Sequence, residues 1–464
     1  MRKISCVLLW VVTLFSACTS STSTDSSTRT PRPSAAEASS AKRTPSPAAS
    51  RLGVQKEALR GTQVTVWHPW FGAQASLFES QVAEFNTENE WGIIVSAESR
   101  DNFNELYWQT DAAMKDSSNP HVVFALPEHA FGWDDDVLDL NPYLHDPEFG
   151  MSALEISDFA SVVWLQDEVD GKRFGMPAQR TARFLLYNQS WALELGFDSP
   201  PGNSAEFQTQ ACAAHGALGK DSDENNNALG GWLIDMDAMT ALSWMLAFDG
   251  GAQEEDGYRF LTPGNIAAFK YVKTLQQKNC AWVASADLPA YDRFAARQAL
   301  FATASLEEFP DQARAFSAAG NTDEWVVLAF PGEEGSALVV YGSSFITFNS
   351  DDTSQLASWL FIRWMLSAEN QARWVQSTGL FPLRASAMNL LADYSAGHPQ
   401  WASAVEYLSD GSITPQLGSW RTVRVMLGDG FADMFDTIRH PDLTEGQVPV
   451  ILKQMDEIAT DLNK

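Results

Sequence analysis

Three apolar segments near the start of the folded body alternate with two helix-patterned ones, and this alternation narrows the fold more than any other feature. QVTVW from Gln63, WGIIVS from Trp91 and HVVFAL from His121 read as buried strands. Between the first two, Leu77, Phe78, Val82 and Phe85 recur at roughly helical spacing. Phe103, Leu106 and Met114 suggest a second helix, and Asn119-Pro120 marks the turn into the third strand. Strand–helix–strand repetition calls for a parallel sheet with helices on its faces. Ligands of such sheets gather beyond the carboxyl ends of the strands. Trp67, His68, Pro69 and Trp70 stand at one such end, and Leu126, Pro127 and Glu128 at another.

RFLLYN from Arg183 is a further strand, and residues 190–320 read as mostly helical, interrupted by the polar stretch GKDSDENNNALGG from Gly219. WVVLAF from Trp325 and FITFN from Phe345 return to strand. Asp352, with Gln355 three residues on, resembles a helix start, and the helix it opens is expected to run to about Thr378. Gly379 stops it and Pro382 lies beyond.

The N-terminus carries a different message. Arg2 and Lys3 precede a short apolar run, Ile4 to Phe15, and small residues Ser16-Ala17 lead into Cys18. This is the layout of an export signal, too short to span a membrane stably. Leu14-Phe15-Ser16-Ala17-Cys18 resembles a bacterial lipoprotein signal, in which the cysteine is acylated. An ordinary cleaved signal with a chance cysteine is the plainer alternative. The Ser/Thr/Ala/Pro-rich segment that follows cannot bury enough apolar surface to offset its ordering entropy, so residues 18–60 are expected to form a lipidated, disordered tether. No later run of apolar residues is long enough to cross a bilayer.

The 464-residue chain carries a formal net charge of −28, which disfavours nucleic acid and adsorption of the body to anionic lipid. Of its 4 cysteines, Cys6 lies in the signal and Cys18 is the lipidation candidate. Cys212 and Cys280 remain, and in an oxidising compartment such a pair favours one disulfide over two buried thiols. Two isolated cysteines without a nearby histidine pair do not make a zinc site, and no metal or cofactor is expected. Asp221, Asp223 and Asn225 begin like a calcium loop, but Asn226 and Trp232 stand where glycine and glutamate are required. No H-E-x-x-H and no G-x-S-x-G is present.

Taken in order, several segments resemble the lipid-anchored or periplasmic solute-binding proteins of ABC importers, in the class of maltose- and glycerol-3-phosphate-binding proteins. VWHPW before a helix ending in Phe85-Asn86, VLDLNPYL from Val137, GKRFGMPAQRTARFLLYN from Gly171 and LGFDSPP from Leu195 carry it. So do FAARQALFATAS from Phe294 and WLFIRWMLSAENQARWVQSTGLFPLRASA from Trp359. The resemblance implies an α/β, two-lobed periplasmic-binding-protein-like fold of type II. The ligand cleft would lie between the lobes, with chain crossings near 178–181, 328–332 and 366–372. Lobe one would comprise 61–178 plus 332–370, and lobe two 179–331 plus 371–464. It further implies a monomeric, extracytoplasmic receptor on the membrane through its lipid anchor alone, which delivers a small solute to an ABC permease and closes by hinge motion.

A sugar has apolar faces and polar edges, so its site needs stacking rings and planar polar groups. Among the 17 tryptophans, Trp67 and Trp70, with His68, follow the first strand. Trp244 lies where the class often places a stacking ring, and Trp232 follows Gly230-Gly231. Core packing is the bland alternative for each. Trp67, Trp70 and Trp244 are expected to form the aromatic floor, with Glu128 and Arg424 holding hydroxyls or an acidic group from two sides. Arg180 and Thr181 occupy the first crossing, Ser305 follows LFATA, and Tyr341-Gly342-Ser343 resembles the class's glycine-rich strand entry. LADYSAGHPQW and SWRTVRVML resemble stretches where glycerol-phosphate binders place a tyrosine and an arginine, here Tyr394 and Arg424. Phe71 stands where those binders carry an acidic residue, which counts against glycerol 3-phosphate itself. A secreted, lipid-anchored glycoside-active enzyme would also need an aromatic, acidic cleft, but no catalytic spacing is visible.

Overall fold

The computed structural model describes residues 49–255, 257–284 and 289–464. The expected signal segment, Cys18 and the tether up to residue 48 lie outside them. The chain is packed from Ser50 onward, not from 61. Ser50 Oγ and the Arg51 N–H donate to one Asp146 carboxylate oxygen at 3.0 and 2.8 Å. A single helical turn at Lys56–Leu59 then buries Leu59 completely. Leu52, Val54 and Leu59 give this stretch apolar surface to bury, which the Ser/Thr/Pro run before it lacks.

Lobe one opens with β1 (Gln63–His68), α1 (Gly72–Glu88), β2 (Ile94–Ser99), α2 (Phe103–Lys115), β3 (Val122–Ala125) and α3 (Pro127–Trp133). β1 pairs in parallel with both β2 and β3. The chain then adds β4 (Met176–Pro177) and crosses through Ala178–Arg180 into β5 (Thr181–Asn188). Lobe two follows with α4 (Ser204–Leu218), β6 (Trp232–Leu233), α5 (Ala238–Ala247), α6 (Pro263–Gln277), β7 (Ala281–Trp282) and β8 (Phe301–Ser305). α7 (Phe309–Ala319), β9 (Trp325–Leu328) and β10 (Val339–Tyr341) continue it. β11 (Ser344–Thr347) is back in lobe one, completing a sheet of order β2-β1-β3-β11-β4. α8 (Asp352–Met365) and α9 (Ala368–Thr378) come next, then α10 (Pro399–Glu406), β12 (Ser412–Ile413), α11 (Trp420–Asp433) and α12 (Val448–Leu462). The second sheet runs β7-β6-β8-β5-β10-β12, with β9 also paired to β5.

β5 explains why RFLLYN is almost continuously apolar. Phe184 and Leu186 point to one side of the sheet, where α7 and α10 pack, and Leu185 and Tyr187 to the other, where α4, α5, α6, α11 and α12 pack. A strand covered on both faces has no polar side. Cys212 on α4 and Cys280 before β7 form a disulfide, with Cα atoms 4.3 Å apart.

Two crossings differ from expectation. Residues 328–332 do not leave lobe two: Phe330-Pro331 pairs with Ser336-Ala337, and β10 pairs with β5. The chain crosses at Gly342–Ser343, where a Cβ on Gly342 would collide with the Gln179 carbonyl of the first crossing. Residues 366–372 are not a crossing either. The single helix expected from 352 to 378 is two, broken at Ser367, whose Oγ caps the second by accepting the Asn370 N–H. The first is capped by Asp351, one residue earlier than expected. α9 packs on α1 of lobe one, through Arg373 and Glu84 at 2.6 Å and Gln81 and Asn370 at 3.1 Å. The chain leaves lobe one only after Gly379, and the Phe381 N–H donates to the Arg180 carbonyl at 2.9 Å.

Candidate functional site

Between the lobes lies a cavity of about 570 Å³. Lobe one lines it with Trp70, Phe71 and Gln74 after β1, Asp101, Asn102 and Phe103 after β2, and Leu126 after β3. All three groups sit at carboxyl ends of parallel strands, where helices begin and side chains are free to point outward. The opposite wall is Gln179–Thr181 and Tyr341–Ser343 from the two crossings, with Glu307, Leu380 and Arg424.

The crossings are clamped by Arg180. Its guanidinium is fully buried, donates to Asp167 Oδ2 at 2.8 Å and to the Ser343 and Gln179 carbonyls at 2.5 and 2.9 Å. Burial pulls its pKa below the usual arginine value, with Asp167 opposing. Thr181 Oγ1 donates to Glu307 Oε2 at 2.8 Å and accepts the Leu306 N–H. Burial, and then Glu307, push the Tyr341 hydroxyl well above its ordinary value, so it remains a neutral donor. Deeper in lobe two Arg183 pairs with Asp235 and Glu308, both at 2.7 Å. Burial raises the Asp237 carboxyl, with Arg183 opposing. Across the lobes Arg424 Nε lies 3.5 Å from Glu128 Oε1.

The aromatic floor is not assembled as expected. Trp232 and Trp244 are fully enclosed in the core of lobe two, their ring centroids 5.5 Å apart. Every residue of α5 from Met239 to Met245 is buried, so this helix has no cleft-facing side. Trp67 faces a separate lobe-one cluster, with the Arg100 guanidinium 4.0 Å from its ring centre. His68 is enclosed between Trp70 and Phe78, its Nδ1 accepting the Trp70 N–H, and burial lowers its pKa to about 4. Ser305 binds Glu308 through both its N–H and its Oγ, at 2.8 and 2.9 Å, and does not reach the cavity. Trp70 does line the cavity, but packs against Phe78, Phe124 and Trp374 and shows only 5% of its surface. The exposed ring is its neighbour Phe71, 60% exposed at the start of α1. Tyr394 stacks on His398 in an adjoining recess that shares Phe71, Gln74 and Glu307 with the cleft. Glu128 is beside the cleft through Arg424, while Arg180, Thr181, Tyr341, Gly342, Ser343 and Arg424 line it directly.

Phe71, Asp101, Asn102 and Glu307 were not anticipated as lining residues. Their common signal is position: each stands just past the carboxyl end of a strand, Phe71 after β1, Asp101 and Asn102 after β2, and Glu307 after β8. Asp235 and Asp237 follow β6 in the same way.

A family model described as bacterial extracellular solute-binding protein matches residues 80–407. The chain belongs to the bacterial extracellular solute-binding proteins. This family consists of binding proteins, so the glycoside-active enzyme is set aside. Solved structures share the two-lobed fold of this solute-binding protein. The sugar-binding protein MalE from Xanthomonas citri is 20% identical with a TM-score of 0.74, covering 87% of this chain and 97% of its own. The cyclic alpha-maltosyl-1,6-maltose binding protein from Arthrobacter globiformis is 18% identical with a TM-score of 0.72, covering 87% and 99%. UgpB from Mycobacterium tuberculosis, solved with glycerophosphocholine, is 16% identical with a TM-score of 0.66, covering 86% and 99%. Among curated sequences, a binding protein of Brucella abortus is 23% identical over 288 residues, 59% of this chain and 66% of that relative's length. No helix among the described residues is long and apolar enough to cross a membrane.

Proposed function

We propose that this solute-binding protein is an extracytoplasmic receptor, anchored by a lipid on Cys18, that captures a sugar or related polyol between its lobes and delivers it to an ABC import permease. The cleft carries the proposal. It presents one open aromatic face, Phe71, opposite a wall of neutral and charged hydrogen-bonding groups, the division of labour a sugar needs. Its volume of about 570 Å³ lies within the range of small-molecule sites. The solved neighbours named for sugars, MalE and the cyclic maltosyl-maltose binding protein, support the same class.

The charges favour a neutral solute. Arg180 is paired with Asp167, Arg183 with Asp235 and Glu308, and Arg424 with Glu128. A phosphate would have to displace one of these carboxylates, whereas hydroxyl groups can bond to the pairs as they stand. The proposed contacts are Phe71, the rim of Trp70, Thr181, Tyr341, Ser343, Glu307 and Arg424.

A thermal-shift screen over sugars, polyols and their phosphates tests this directly. A ligand at a hundred times its dissociation constant adds about 2.7 kcal/mol to stability. A neutral carbohydrate should raise the melting temperature and titrate with one-to-one heat. A panel in which only phosphorylated compounds act would overturn the neutral-sugar assignment. Metabolic labelling with an alkyne fatty acid, lost in Cys18→Ser, tests the anchor.

A further inference from the structure

Beside the cleft a second cavity of about 770 Å³ runs along α11 and α12. Val425, Ile458 and Leu462 line it and are 59%, 47% and 41% exposed. Met426, Ile451 and Met455 lie beneath them. Large apolar side chains usually scatter singly over a protein surface, and convergence on one concave site marks a binding function. α11 and α12 meet closely at Gly430, where a Cβ would run into the Met455 methyl, so the groove has a floor.

The groove is not a separate surface feature. Phe103 and Arg424 line both it and the cleft, so the two spaces meet at one waist. Its far wall belongs to lobe one, through Phe103 and the buried His129. Like the cleft, it takes walls from both lobes and is complete only when they are together. Arg424, held by Glu128 across the lobes, stands at this waist, and beyond it the apolar side chains of α11 and α12 are rimmed by Arg421, Asp429 and Asp433.

We propose that the solute is amphipathic: its polar sugar or polyol head lies in the cleft, and an apolar alkyl or aryl substituent passes Arg424 into the groove between α11 and α12. This rests on the cleft being the sugar site. A substituent of the same molecule fits better than a protein partner, because the groove is walled by both lobes and continuous with the cleft.

The test uses the full folded chain and two kinds of probe. Methyl and hexyl pairs of β-glucoside, β-galactoside and β-maltoside are titrated calorimetrically, and neutral N-phenyl-1-naphthylamine is titrated by fluorescence. The hexyl member of whichever pair binds should bind at least about tenfold tighter than the methyl member, since several methylenes leave water. Val425→Asp and Ile458→Asp should abolish that hexyl-over-methyl ratio and the naphthylamine signal. Both positions are exposed, and circular dichroism confirms that the variants fold. Equal hexyl and methyl affinities overturn the proposal and leave the sugar site standing. Naphthylamine binding that Val425→Asp removes, without binding of any glycoside, supports the apolar groove and overturns the sugar assignment. Failure of every probe overturns both.

Discussion

Asp167→Ala should loosen the joint between the lobes at a measurable cost. Asp167 and Arg180 are 1% and 0% exposed and 2.8 Å apart. Removing the carboxylate leaves a buried guanidinium with carbonyl and hydroxyl partners but no carboxylate in contact, only the more distant charge of Glu128. Breaking a buried pair in this way typically costs about 3–5 kcal/mol. Arg180 keeps the Ser343 and Gln179 carbonyls and the Ser344 hydroxyl, which points to the lower end, about 3 kcal/mol. Unfolding entropy of about 2 cal/mol/K per residue over roughly 400 residues converts this to a fall of about 3–4 °C, if the lobes melt together. Differential scanning calorimetry reads it. The double variant Asp167→Leu/Arg180→Met removes both charges and should recover part of the loss, because the Ser343 and Gln179 carbonyls still lose their donor. A single variant melting within about 1 °C of the parent would show that the pair does not hold the crossings.

The aromatic assignments separate by assay. Phe71→Ala should weaken sugar binding by about 2 kcal/mol with little change in melting temperature, whereas Trp244→Ala should cost about 3–5 kcal/mol of stability and leave the affinity of folded molecules alone; the reverse pattern by calorimetric titration and thermal melts would restore the Trp244 stacking site. Reducing Cys212–Cys280, separated by 68 residues, should lower stability by about 4 kcal/mol on chain-entropy grounds, read as a shifted urea midpoint with and without dithiothreitol; coincident curves would argue against it. Burial holds His68 and His129 at about 4 and about 3, below the unfolded value of 6.5. The unfolded chain therefore takes up protons first, and stability should fall as pH drops from about 6.5 towards 4. His68→Asn, whose amide oxygen can replace Nδ1 as acceptor for the Trp70 N–H, should flatten that slope in urea titrations, and an unchanged slope would count against a neutral buried imidazole. Solute should also close the lobes, and an unchanged radius of gyration at saturation would contradict hinge closure.

What could be read without coordinates was whatever depends on neighbours in the chain. β1, α1, β2, α2 and β3 announce themselves because a short apolar run or a helical period of 3.6 is a local property. Gly379 ends α9 with φ of 73°, a conformation suited to glycine. The Cys212–Cys280 pair needed only the inference of an oxidising compartment and an even count. The crossings were harder. A strand such as Val339–Tyr341 looks the same whether it pairs with β5 or returns to lobe one, and only its hydrogen-bond partners, far away in sequence, decide. The split at Ser367 was missed because the apolar pattern continues through it, while the cap is a single hydroxyl.

The alternation of strands and helices confined this chain to an α/β fold with a parallel sheet, since such a succession of local periodicities has few ways to bury its apolar faces, and its two lobes were what the resemblance of its ordered motifs to solute-binding proteins implied. Which aromatic rings meet the solute was settled only in three dimensions. Trp244 and Phe71 are both large apolar residues on or beside a helix, yet one is sealed by Phe207, Trp232 and Phe330 and the other stands open at the cleft. Exposure is a property of what packs against a side chain, and for both rings those neighbours, or their absence, are set by segments distant in sequence that come together only when the lobes fold.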